Sequence, residues 1–349
     1  MPWTKFLIEK EELGFDASGE KKGRRLTFSQ AVFEALDQAL GLDPNVYIMG
    51  QGVDDRTGMF GTTLDLHKKY GRARVFDTPL SENCLTGVAI GSALAGMRPV
   101  YIHNRPDFLL LTMDQIVNHA AKWSYMFGGH LKVPLVIRSV IGQGWGSAAQ
   151  HSQALYALFM HIPGLKVVLP STAYDVKGLL LSSIADNNPV VFIEHRWLYK
   201  HSGVVPKKVY FLPLGKGVIR RQGRDVTIAG ISYMVIEALR AAEQLAAQGI
   251  EAEVIDLRTI KPLDEQIIID SIKKTGRLIV AEMGWKMAGL GSEIAARILE
   301  KGPRFLKAPL VRITSPECPA PSSHILEAEF YPGAEKIIKA VKEVMAVFI

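Results

Sequence analysis

The apolar positions of this chain switch repeatedly between two periods. After Thr27, Val32, Ala35, Leu36, Ala39 and Leu40 fall three and four residues apart, which predicts one buried face of a helix. The run VYIM before Gly50 then reads as a strand. The same change of period recurs downstream. Residues 83–95 predict a helix, 99–103 a strand, 112–124 a helix and 134–140 a strand. A helix from about Gln150, a strand at 166–169, a helix at 172–185 and a strand at 189–195 follow. The strands are short and apolar throughout, as expected where helices cover both faces of a parallel sheet. Residues 199–224 break the alternation with Lys, Gly, Pro and Arg. It restarts with strands at 225–230, 251–257, 277–282 and 309–314, and helices at 233–248, 264–274, 290–301 and 334–346.

This pattern predicts an α/β protein with two doubly wound domains. A polar arm covers 1–26, the first domain 27–203, a linker 204–224 and the second domain 225–349. The length of 349 residues suits two domains. Hydrophobic content of 48% and charged content of 22% fit a soluble globular chain with sizeable cores. The net charge of +6 comes from scattered Lys and Arg, which argues for solubility and against nucleic-acid binding. Cys84 and Cys318 lack metal-ligand spacing, and no stretch reaches the ~18 apolar residues of a membrane span. The first residues lack the apolar core of a secretory signal, so the expected location is cytoplasmic.

Three places carry candidate chemistry. Glu82 follows the strand Arg74-Val75-Phe76-Asp77 at a helix start. Ligands of open parallel sheets sit at such strand ends, although an acid there also suits the helix dipole alone. Gly87, Ala89, Gly91, Ala93 and Ala95 let that helix approach another backbone, within the chain or at a subunit interface. His151 lies in GQGWGSAAQHSQ, where Gly142, Gly144 and Gly146 alternate without the order GxGxxG. No acid ends a following strand, which argues against a dinucleotide site. A histidine there reads as structural or as a proton carrier near neutral pH. Phe108, in HNRPDFLLL, is a core aromatic or a stacking platform for a flat ring. His103, Arg105 and Asp107 read first as a polar interface cluster and second as substrate contacts. In the second half, Gly289 and Gly291 read as a tight turn rather than a phosphate loop.

The segments YGRARVFDTPLSE, MDQIVNHAAKWSYMFGG, AAQHSQ, PGLKVV, DNNPVV, LRTIKPLD and GLGSEI, in this order, carry a resemblance. From about Leu26 onward the chain resembles the β subunit of the 2-oxo acid dehydrogenase E1 component, in the transketolase-like thiamine diphosphate superfamily. The fold this implies is a pyrimidine-binding domain followed by a transketolase C-terminal domain. The resemblance places the carboxylate that binds the aminopyrimidine N1′ on Glu82 and the stacking aromatic on Phe108. It adds Leu80, Asn104 and Gln51 as cofactor contacts. His151 becomes the active-site histidine, which orients substrate and handles protons during acyl transfer. A potassium site through backbone carbonyls falls on Leu135, Ser183, Asp186 and Asn188.

The family's GDG motif for Mg2+ and diphosphate is absent here. The resemblance therefore implies a separate α subunit, an α2β2 assembly, and a cofactor shared between chains. The implied reaction is oxidative decarboxylation of a 2-oxo acid, with the acyl group passed to a lipoyl-bearing E2. Two other readings stay open. One is a split transketolase or acyloin synthase that adds the enamine to an aldehyde or ketone. The other is a non-catalytic scaffold for E2 and a partner. Three departures bear on substrate and acceptor: Gln51-Gly52 stands where many members have Glu-Glu, Leu111 replaces a polar residue, and His103-Asn104-Arg105 replaces apolar ones.

Overall fold

A computed structural model describes residues 23–142 and 146–347. They form two compact units. One holds residues 23–142 and 158–214, the other 146–157 and 215–347. The arm expected at 1–26 lies largely outside the described residues. Its last part, Arg25–Thr27, is a strand paired antiparallel with Ser202–Val204.

The first helix, Phe28–Leu42, begins at a capping box. The Thr27 side chain accepts the Gln30 N–H at 3.2 Å, and the Gln30 side chain accepts the Thr27 N–H at 2.8 Å. Its apolar stripe is buried as the period predicts, from Ala31 and Val32 to Ala39 and Leu40. In this unit the strands lie in the spatial order Lys166–Val168, Val190–His195, Val136–Ile141, Arg98–His103, Val46–Gly50, Val75–Asp77. Every neighbouring pair among them is parallel. Strand 46–50 is followed in sequence by a strand on one side of it, strand 98–103 by one on the other. The sheet therefore has its switch point between these two, where a crevice opens at the carboxyl ends.

The second unit has a five-stranded sheet in the order Val311–Ser315, Leu278–Trp285, Val226–Gly230, Ala252–Asp256, Val218–Arg221. Its last pair is antiparallel. Strand Val218–Arg221 falls inside the stretch read as a linker. Polar Arg and Gln around it hide its alternation, and the pairing, not the side chains, defines it.

Two further expectations are corrected. The single helix expected at 112–124 is a series of short pieces: a 3-10 turn at Leu110–Thr112, a π-helix at Gln115–Ala120 and an α-helix at Ala121–Met126. The helix expected from about Gln150 starts at Tyr156. Gly146 and Ala148 take positive φ, at 65° and 54°, which the right-handed helix cannot absorb.

Candidate active site

Glu82 is the first residue of helix Glu82–Leu94 and is half-buried. Two bonds donated by backbone N–H groups fix the turn that delivers it. Gly52 N–H donates to Asp77 Oδ1 at 2.7 Å, and Thr78 N–H donates to the Gly50 carbonyl at 3.2 Å. They tie the exits of strands 46–50 and 75–77 together. Gly50 sits at φ 146°, and a Cβ there would fall 2.3 Å from the Ile102 carbonyl oxygen. Only glycine permits this approach at the switch point. The next residue, Gln51, reaches Glu82: its Nε2 donates to Oε1 at 3.4 Å. The amide thus meets the carboxylate without adding a second negative charge. Leu80, just before the helix, is 78% exposed and offers a bare apolar surface.

Strand 98–103 brings the other side of the crevice. Tyr101 and His103 share a face by the two-residue alternation, with ring centroids 4.1 Å apart. Burial pushes the Tyr101 phenol up, and the Glu82 charge adds to the shift. Burial pushes His103 down to about 3, so its imidazole is neutral. Three buried polar atoms here have no hydrogen-bond partner among the described residues: His103 Nε2, Asn104 Oδ1 and Thr78 Oγ1. Such an atom left unpaired costs about 1–3 kcal/mol. Three at the strand ends fit a site built for a polar ring. Phe108, in the short helix Pro106–Leu109, is half-buried, and Leu111 is 60% exposed.

The reading of His103, Arg105 and Asp107 as an interface cluster is corrected: all three are buried within the unit. Arg105 Nη1 donates to the carbonyls of Gly142 at 2.5 Å and Val140 at 3.3 Å. It pins the end of strand 136–141 rather than facing a partner. Pattern alone does not reveal this, since an arginine after a strand reads as a surface charge.

His151 belongs to the second unit. It is exposed in a segment without helix or strand, and the next residue, Ser152, is buried. Leu135, Ser183, Asp186 and Asn188 belong to the first unit. Asp186 ends helix Ala173–Ala185, whose last carbonyls lack intrahelical partners and favour a cation. The Asp186 carboxylate takes the Lys166 ammonium, the Asn188 N–H at 2.8 Å and the Asn188 amide at 2.9 Å. Arg98 Nη1 bonds the Ile184 and Asp186 carbonyls at 3.0 and 3.1 Å. The Leu135 carbonyl accepts the Val190 N–H at 2.9 Å.

Among the described residues no group of three His, Cys, Asp or Glu gathers as a metal site, and no helix is long and apolar enough to cross a membrane. Cys84 and Cys318 are free thiols.

Comparison with known proteins gives matches along most of the chain. Residues 24–202 match the transketolase pyrimidine binding domain, and residues 215–337 match the transketolase C-terminal domain. The β subunit of acetoin:2,6-dichlorophenolindophenol oxidoreductase from Bacillus subtilis is 43% identical over 92% of this chain and 98% of that protein. The pyruvate dehydrogenase E1 component subunit beta of Rickettsia conorii is 42% identical over 92% and 98%. Its mitochondrial counterpart from Bos taurus is 42% identical over 92% and 91%. A solved structure described as a split gene transketolase, inactive beta4 tetramer, has the same fold. Its TM-score is 0.75 at 24% identity, over 93% of this chain and 99% of that one.

Proposed function

Because the chain belongs to the E1 β subunits of 2-oxo acid dehydrogenases, with transketolase-type pyrimidine-binding and C-terminal domains, we propose that it is the β half of a thiamine diphosphate enzyme. That enzyme decarboxylates a 2-oxo acid oxidatively and passes the acyl group to a lipoyl arm of E2. The observation that carries this reading is the Glu82 carboxylate, held at the switch point against the neutral Gln51 amide.

When bound, the cofactor supplies a nucleophilic carbon and an electron sink for loss of CO2. Glu82 would hold a proton at the aminopyrimidine N1′. Phe108 would cover a ring face, Leu80 would give an apolar contact, and Asn104 Oδ1 would accept from an amino group. Gln51 lowers the local charge at Glu82 while keeping a hydrogen bond. The neutral His103 keeps the crevice free of a fixed positive charge. His151 would orient substrate and move protons as the acyl group leaves.

The absence of a GDG motif supports a separate α subunit that holds Mg2+ and the diphosphate in an α2β2 assembly. A K+ ion would sit on backbone carbonyls around Leu135, Ser183, Asp186 and Asn188. The helix end at Asp186 supports a cation there, and an incoming K+ would compete with Arg98, which donates to the Asp186 carbonyl at 3.1 Å.

The test is reconstitution with a GDG-bearing α chain. The pair is expected to turn over a 2-oxo acid and acylate a lipoyl domain, while the chain alone does neither. Full turnover by the chain alone would refute the reading. Ketol products from an added aldehyde, with no acyl-lipoyl formed, would transfer it to the acyloin class.

A further inference from the structure

The segment that carries His151 has no helix or strand of its own from Gly146 to Leu155, yet both its ends are held within the second unit. At one end Gly146, at φ 65°, packs so closely that a Cβ would fall 2.9 Å from the Ser322 carbonyl oxygen. At the other end stands Tyr156, fully buried at 0% exposure, five residues after His151. Its hydroxyl donates to Glu282 Oε2 at 3.0 Å and accepts the Gly284 N–H at 2.7 Å.

Glu282 is itself 1% exposed, in strand Leu278–Trp285. Its Oε1 accepts the Gly291 N–H at 2.8 Å, in the first turn of helix Leu290–Lys301. Burial pushes this carboxyl up, opposed by the hydrogen bonds from Gly291 and Tyr156. The glycines around it make the room. A Cβ at 284 would lie 3.0 Å from both Glu282 Oε2 and the Tyr156 hydroxyl, and one at 289 would lie 2.8 Å from Glu282 Oε1. The glycine-rich turn is therefore a cradle for an internal carboxylate. Glu282 takes the helix N-terminus that an outside anion would otherwise use.

We infer that Tyr156 and Glu282 are positioning residues, a clamp that fixes the His151 segment for acyl transfer; this rests on the reading of His151 given above. The phenol oxygen accounts for the choice of residue. A phenylalanine would fill the same volume and leave both the carboxylate and the Gly284 N–H without it.

The experiment uses the reconstituted αβ enzyme with Tyr156→Phe, His151→Ala and the double variant. In Y156F, hydrogen exchange across residues 147–155 is expected to rise roughly 10-fold or more. The rate constant for acylating a lipoyl domain should fall by about 10-fold to 100-fold, with KM for the 2-oxo acid near wild type. The double variant should be no slower than H151A alone, because both changes act on one group. Unchanged exchange in Y156F, or losses that multiply, would overturn the clamp. Wild-type acyl transfer by H151A would overturn the role of His151 itself, and the exchange data still decide the anchoring. Glu282→Leu removes the acceptor of that bond from the other side. It should give the same pattern, and it decides the matter if Y156F aggregates.

Discussion

At the scale of single residues, the proposed chemistry rests on where one carboxylate meets one amide. Among the described residues Glu82 has one side-chain donor, Gln51, at 3.4 Å on Oε1, which leaves Oε2 for a ligand. Replacing it by Gln in the αβ enzyme keeps the volume and removes the charge. Activity should fall ~10²–10⁴-fold, with the melting transition of the chain unchanged. Near-normal turnover would sink the assignment. His151→Ala tests a different step: decarboxylation, followed with an artificial electron acceptor, should suffer less than acyl transfer to a lipoyl domain. Equal losses in both would make His151 a part of substrate binding instead. Of these residues, Glu82, Phe108 and His151 could be proposed from the sequence because each sits in a motif that survives as a string. The contacts of Arg105 and Tyr156 could not be read there. Their roles depend on partners far along the chain: Gly142 for Arg105, and Glu282 and Gly284 for Tyr156.

At the scale of elements, close backbone approach decides what the crevice looks like. Gly50 ends the strand that delivers Gln51, at φ 146° and against the Ile102 carbonyl. A Gly50→Ala substitution must push strands 46–50 and 98–103 apart at the switch point. It should cost about 1–3 kcal/mol in denaturant unfolding and weaken cofactor-dependent activity more than Gly71→Ala, whose Cβ would meet nothing within 4 Å. Equal effects at the two positions would show that left-handed backbone strain, not the contact, sets the cost. The same contrast explains what the apolar pattern could and could not reveal. Helix Phe28–Leu42 buries a periodic face and strand Val190–His195 a continuous apolar run, and both were readable from those patterns. Residues 110–126 keep a helical period, but they change between 3-10, π and α winding, which periodicity cannot resolve. The irregular stretch before Tyr156 is set by positive φ at Gly146 and Ala148, and alanine gives no warning of that.

At the scale of the whole molecule, the buried imidazoles tie folding to acidity. His103 and His195 are both pushed down to about 3, His103 by burial, and His195 by burial first and then by Arg105 and His201. Both are neutral in the fold and take up protons near pH 6.5 when the chain unfolds. Their contribution is thus complete above pH 6.5 and is lost as pH falls toward 3. Each should steepen the loss by about 1.4 kcal/mol per pH unit once the unfolded state is fully protonated there. Paired carboxylates such as Asp186, held down by Lys166 and Asn188, add to the slope only nearer and below the ordinary carboxylate range. Glu282, pushed up by burial, works in the opposite direction above that range, so the histidine part is read from the difference between variant and parent chain in the window from pH 6 to 5. Urea unfolding of the chain across that window should lose stability steeply, and His103→Asn should reduce the slope by close to one proton. An unchanged slope would mean that His103 is solvated or charged in the folded chain. The neutral ring assigned to the end of strand 98–103 would then be wrong.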